Sequence, residues 1–291
     1  MTTMDAAYYI TTLDHTAPKG DRPKSFDYAI VDLAVDHDFL KFLYEGMQRN
    51  PIEWRSLFEG TNWQASWFKG PILVDLRNNA AFVEQLVNRM ENQPLGILIQ
   101  STLGAADFLQ RSRQWLFSLE SPQERLLRFY EPRMLAALLC VMESSQRERL
   151  VLTGERWSWY DGLAWRSRLS TENKAVTPDP DMFLISGEQL RQVPIYRMAA
   201  ESQLLADHYK DQLTEHEAPT VWVLAHLLEA SKHGYSKVSD QERWLRLAFC
   251  HGNAFPTSIR FRDVLSQENL PASEQLSIME GIRRTDNVPT E

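Results

Sequence analysis

The chain has 291 residues, 43% of them hydrophobic and 24% charged, enough apolar content for one large or two modest cores in a soluble globular protein. Its net charge of −8 argues against a nucleic-acid partner, whose phosphates require a clustered positive field. No run of about 18 apolar residues occurs, so no membrane span is expected. The cysteines, Cys140 and Cys250, sit in apolar helix-like segments without metal-type spacing, which reads as two reduced, buried thiols in a reducing compartment.

In chain order, residues 1–24 read as a polar N-terminal tail. They lack a basic segment followed by an apolar one, so no secretory signal is expected and the cytoplasm is the expected location. YAIVDLA (28–34) predicts a strand, and 36–47 a helix with Phe39, Leu40, Leu43 and Tyr44 at helical spacing and Asp36 or Asp38 as N-cap. A loop with Trp54, Leu57, Phe58, Gly60 and Thr61 follows. Strand 71–76, helix 80–90, strand 95–101, helix 104–119, strand 125–130 and helix 132–143 come next, and 147–154 with 156–162 predict a hairpin. The third strand, LGILIQS, is continuously apolar, as a strand buried on both faces should be. This alternation predicts a mixed α/β fold with some parallel pairing. Residues 166–186 are polar and aperiodic and read as a linker or exposed loop. Beyond them the pattern is helical: 188–213, 219–234, 239–252 and 271–284. Ser239 with Glu242 forms a capping-box pattern, and Gly234 and Gly252 are natural helix stops. The expected organisation is a tail at 1–24, an α/β domain at 25–165, a linker at 166–186 and an α-helical C-terminal lobe at 187–291.

The chain carries no GxSxG elbow, Walker loop or GxGxxG motif. His208, His216, His226 and His233 fall in no metal-ligand spacing, and His226 sits among leucines as a core histidine would. Cys250 and His251 are adjacent on a helix, about 100° apart, which disfavours a nucleophile–base pair. Asp179 and Asp181 flank Pro180 and read as turn residues. No cofactor or metal is expected. Arg111, Arg113, Arg125, Arg128 and Arg133 form a basic group whose simplest reading is a solvated face with ion pairs, the alternative being an acidic partner. In WSWYDGLAW, Trp157 and Trp159 share one strand face, with Trp165 nearby. They are either a sheet face covered by helices or an aromatic platform for a partner.

RFYEPRML (128–135) concentrates Arg128, Tyr130, Glu131 and Arg133 in six residues. Pro132 suits a first helical turn, where its missing N–H would be unpaired anyway, and it pushes Glu131 into an extended conformation. A carboxylate there complements the helix dipole, although Asp would reach the N–H groups more directly. The stretch therefore reads as a strand-to-helix joint that leaves Arg128 and Arg133 without an assigned role.

Taken together, these segments resemble the DUF4123 family, the adaptor chaperones of bacterial type VI secretion. Tyr28 to Asp32 is similar to a Y-A-L-L-D opening strand, Leu57 to Thr61 to an L-F-x-G-T loop, and Pro71 to Leu76 to the second strand. Gly96 to Ser101 is similar to G-x-x-L-x-S, and Arg128 to Leu135 to R-F-Y-D-P-R-V-L, with Glu131 where the family usually has Asp. The resemblance covers about two fifths of the chain. It implies a non-enzymatic cytoplasmic adaptor that binds a cognate type VI effector and helps load it onto the VgrG or PAAR spike. Arg128, Tyr130, Arg133, Trp157, Trp159 and Trp165 would then be candidate protein-binding residues. The competing expectations are a hydrolase-type enzyme using Glu131 with Arg128 and Arg133, and a structural component of the secretion apparatus.

Overall fold

Three apolar five-residue strands build the centre of the sheet: β2 (Tyr28–Asp32), β4 (Pro71–Asp75) and β5 (Gly96–Gln100). The computed structural model describes residues 3–48, 50–77, 79–119, 126–170, 184–267 and 269–282. Around the central strands lie β1 (Lys19–Gly20), β3 (Trp54–Ser56), β6 (Arg156–Tyr160) and β7 (Trp165–Leu169), in the order β1-β7-β6-β5-β2-β4-β3. Every strand pair is antiparallel, which corrects the expected parallel component. Among the described residues, parallel pairing is confined to an isolated bridge between Leu119 and Ile185. The apolar runs arise because both faces of the sheet are covered, and double coverage selects apolar residues whichever way the strands run.

The strand registers define the two faces. Ala29, Val31, Ile72, Val74, Leu98 and Trp165 form one core with helices α2 (Phe39–Met47) and α3 (Ala80–Asn92) through Phe39, Leu43, Phe82, Leu86 and Met90. On the opposite face Tyr28 stacks on Phe108 of α4 (Ala105–Leu116) at 5.2 Å, and Trp157 lies 5.9 Å from Phe129 and 6.4 Å from Phe108. Gly96 has a steric cause: a Cβ there would stand 1.9 Å from the Ile30 carbonyl oxygen on β2. Asn79 caps α3 by accepting the Phe82 N–H at 3.1 Å. Asp38 occupies the α2 cap position without a side-chain cap bond, while Asp36 accepts the Asp38 N–H and pairs with Arg89 at 2.5 Å.

Several expectations are corrected. The expected tail carries helix α1 (Thr3–Thr16) and strand β1, and Arg22 clamps it to α3 through Glu84 and Glu91. No strand occupies 126–130, where the chain is irregular and ends in a turn. It leads into α5 (Pro132–Val141). Helix α6 (Ser144–Leu150) replaces the first arm of the expected hairpin, and β6 pairs instead with β7, whose residues 166–169 (RSRL) read in the sequence as the start of a linker. Arg166 is wholly buried there, held by Asp161 at 2.5 Å, Asp14 at 3.3 Å and the Ala17 carbonyl at 2.6 Å. Residues 171–183 of that linker, including Asp179 and Asp181, lie outside the described residues, as do Arg125 and the end of the last expected helix.

The C-terminal region is helical: α7 (Gly187–His208, with Pro194 inside), α8 (Pro219–Lys232), α9 (Val238–His251), the unanticipated α10 (Ile259–Leu265) and α11 (Ala272–Glu280). Lys237, not Ser239, is the α9 N-cap, because the helix starts one residue before that serine. Gly234 and Gly252 end their helices at φ of 87° and 81°, a region that glycine enters without a Cβ penalty. The core here is aromatic: Trp244 packs against His233, Tyr235 and Phe255 at 4.8–5.4 Å. Two compact units result. One spans Thr11–Arg197, and the other joins the residues up to Ile10 with those from Met198 onward.

Candidate functional site

RFYEPRML makes a turn and then a helix, and its charges are engaged internally. The Glu131 N–H donates to the Arg128 carbonyl at 3.1 Å, closing the turn before Pro132 starts α5. Glu131 is buried, and its Oε1 accepts both the Arg133 backbone N–H at 3.1 Å and Arg133 Nε at 2.7 Å. The longer glutamate therefore caps as an aspartate would, with its own neighbour completing the ion pair.

Arg128 reaches Asp32 at the end of β2, Nη2 to Oδ2 at 2.5 Å. Burial opposes the Arg128 charge, but Asp32 and Tyr130 beside it outweigh that and raise its pKa above the ordinary value. The Tyr130 hydroxyl is pushed well above its usual range, first by burial and then by Asp32. Arg128 and Arg133 keep 48% and 56% of their side-chain surface exposed, whereas Tyr130 is buried.

Arg111 and Arg113 of the basic group are paired as well. Arg111 donates to both carboxylate oxygens of Glu155, at 2.7 and 2.8 Å. Arg113 reaches the Ser56 and Leu57 carbonyls and Glu59. Glu155 is a hub that also accepts from Ser101 Oγ at 2.6 Å, the Leu152 N–H at 3.0 Å and Trp157 Nε1 at 3.3 Å. Neither Asp32 nor Glu155 was singled out as a site residue. The available signals were an aspartate closing an apolar strand and a lone glutamate before a tryptophan-rich one.

Trp157, Trp159 and Trp165 are buried to 1%, 0% and 5% exposure. They are core residues and not an exposed platform, because helices cover both faces of the sheet on which they stand. The exposed aromatics lie elsewhere. Trp54 on β3 stacks with Trp67 at 5.8 Å and meets the edge of Tyr44 at 6.5 Å, and Phe68 adjoins Trp67.

The expected pair of buried thiols is corrected by half. Burial pushes the Cys140 thiol up to about 12, while Cys250 faces outward from α9. His226 is buried, and burial lowers its pKa, with the Asn253 side chain 3.4 Å away acting in the opposite sense. Among the described residues, no group of three or more His, Cys, Asp or Glu side chains is arranged to hold a metal ion, and no helix is long and apolar enough to cross a membrane.

Fold and site together define an α/β sheet protein, with helices on both faces of an antiparallel sheet and a helical C-terminal region, in which Arg133 pairs with Glu131 inside the motif and Arg128 with Asp32 on β2. Residues 28–149 of this chain match the model of the family described as "Domain of unknown function (DUF4123)". Searches of curated proteins and of solved structures returned no match.

Proposed function

We propose that the protein is a cytoplasmic adaptor that binds one type VI secretion effector and helps load it onto the VgrG or PAAR spike. The match of residues 28–149 to the DUF4123 model, with RFYEPRML inside it, is the observation that carries this reading. The internal geometry supports a binding role over a hydrolytic one: the Glu131 carboxylate is buried and occupied by the Arg133 N–H and guanidinium. Arg128 and Arg133, paired yet half exposed, are the motif side chains that a partner can reach, while Tyr130 and the three tryptophans support the surface from within.

Tagged protein recovered from a strain assembling the secretion system should bring down a toxin encoded beside it together with VgrG or PAAR. Recovery of neither overturns the reading. Stoichiometric presence in assembled particles would point to a structural component instead.

A further inference from the structure

Helix α8 sets Val221, Ala225 and Glu229 four residues apart, on one face. With Glu217 ahead of the helix and Asn253 beyond α9, that face lines a cavity of about 550 Å³, a size that suits a small ligand. His226 also lines it, although the residue is only 5% exposed. All of these residues belong to the C-terminal unit.

The hydrogen bonds around His226 fix which of its nitrogens carries the proton. Trp222 Nε1, which can only donate, donates to Asn253 Oδ1 at 2.9 Å. His226 Nε2 lies 3.4 Å from the same oxygen and faces it favourably only as an N–H. Nδ1 is then the ring's lone pair. It is buried and has no hydrogen-bond partner among the described residues. Its neighbour is Glu229 Oε2 at 3.7 Å, too long for a hydrogen bond and itself an acceptor. Burial lowers the His226 pKa, and the nearby His216 acts in the same sense, so the ring stays neutral and does not resolve the conflict by taking a proton. Two acceptors thus face each other with no donor between them. Glu229, whose side chain is 37% exposed, has no arginine or lysine partner among the described residues and can turn to make room beside Nδ1.

The missing group is a donor, and three observations narrow its chemistry. A nitrogen about 2.9 Å from each acceptor spans a 3.7 Å gap, and an ammonium brings three N–H donors and the charge that a carboxylate prefers. The ionised side chains lining the cavity are Glu217 and Glu229 against Lys232, one net negative charge with His216 and His226 neutral. Val221 and Ala225 supply an apolar wall for an alkyl chain. A metal ion is less well served, because no group of three or more His, Cys, Asp or Glu side chains is arranged to hold one among the described residues.

We propose that the α8 cavity binds a primary ammonium group, seated between His226 Nδ1 and the Glu229 carboxylate with its alkyl chain along Val221 and Ala225. The inference rests on this cavity alone and is independent of the secretion role.

The test is a nuclear magnetic resonance titration of the ¹⁵N-labelled full chain, read at the Trp222 indole N–H, which Trp222→Phe assigns. The probes are n-butylammonium and Nα-acetyl-lysine N-methylamide, with n-butanol as the neutral control. Both amines should shift the signal saturably and butanol should not. Tighter binding of the lysine derivative assigns the group to a polypeptide side chain, and tighter binding of butylammonium to a free amine. Glu229→Gln, and His226→Gln, which keeps a polar group near Nε2 but deletes Nδ1, should each weaken binding at least about tenfold, the loss expected when a charged or buried acceptor is removed. Lys232→Ala, which removes the competing cation, should tighten it several-fold, a gain that misfolding cannot mimic. No saturable shift with either amine, an equal shift with butanol, unchanged binding in Glu229→Gln, or no gain with Lys232→Ala overturns the proposal. Stoichiometric binding of Zn²⁺ without binding of the amines would assign the cavity to a metal ion, and overturns it too.

Discussion

The sheet unit and the C-terminal helical unit are held together by different means. In the sheet unit, buried carboxylates pair with arginines distant in sequence: Glu155 with Arg111, Asp32 with Arg128 and Asp36 with Arg89. In the helical unit, Trp244 is surrounded by rings, and ion pairs such as Arg243–Glu280 and Arg246–Glu242 are partly solvated. Stacked helices tolerate loosely directional contacts. A sheet covered on both faces must hold loops and helix ends at fixed registers, and directional charged hydrogen bonds do that. A buried pair adds little net stability over an apolar pair, but breaking it leaves an uncompensated charge.

That contrast ranks the expected losses. Glu155→Ala strands Arg111 and removes the acceptor for Ser101, Leu152 and Trp157, so urea denaturation should show a loss of about 3–5 kcal/mol. Adding Arg111→Met to that variant should recover part of the loss; if it recovers nothing, the pair is not what orders this face. Trp244→Ala empties the aromatic core of the helical unit and should cost about 3–4 kcal/mol, with no charge substitution able to rescue it. Glu131→Ala removes a single cap and should cost about 0.5–2 kcal/mol, while Glu131→Asp restores it.

The smallest effect is a pH dependence. His226 is held below its ordinary pKa of 6.5 by burial, so the unfolded chain binds a proton before the folded one does. The contribution to stability is intact above pH 6.5 and is lost as the pH falls below it. Melting temperatures of the native protein and of His226→Gln, compared between pH 7.5 and 5.5, should converge on acidification. Parallel curves would mean that His226 charges as freely in the fold as in water.

Much of this architecture was legible from period and composition. The three central strands, helices α2 to α5 and four of the C-terminal helices follow from apolar spacing, because burial of a helix stripe or a strand face imposes that spacing locally. Strands β3 and β7 were not legible. WRS is only three residues long, and WRSRL is polar because its Arg166 finds Asp14 and the Ala17 carbonyl far away in sequence, besides Asp161 nearby. The candidate site was half legible. Pro132 announced the helix start, but the Asp32 partner of Arg128 lies 96 residues away, and nothing local marks such a pair.

By itself the sequence determined the three central strands, helices α2 to α5, four C-terminal helices and the helix start at Pro132, all set by short-range sterics and burial periodicity, and it carried the resemblance over about two fifths of the chain. Only the tertiary structure decided that the sheet is antiparallel, that the tryptophans of WSWYDGLAW are interior, that Arg111, Arg113, Arg128 and Arg133 are engaged in internal ion pairs and that β3 is an edge strand among the described residues. An apolar strand buried on both faces reads the same whichever way its neighbours run. Exposure of a tryptophan or an arginine depends on which distant elements come to lie over it.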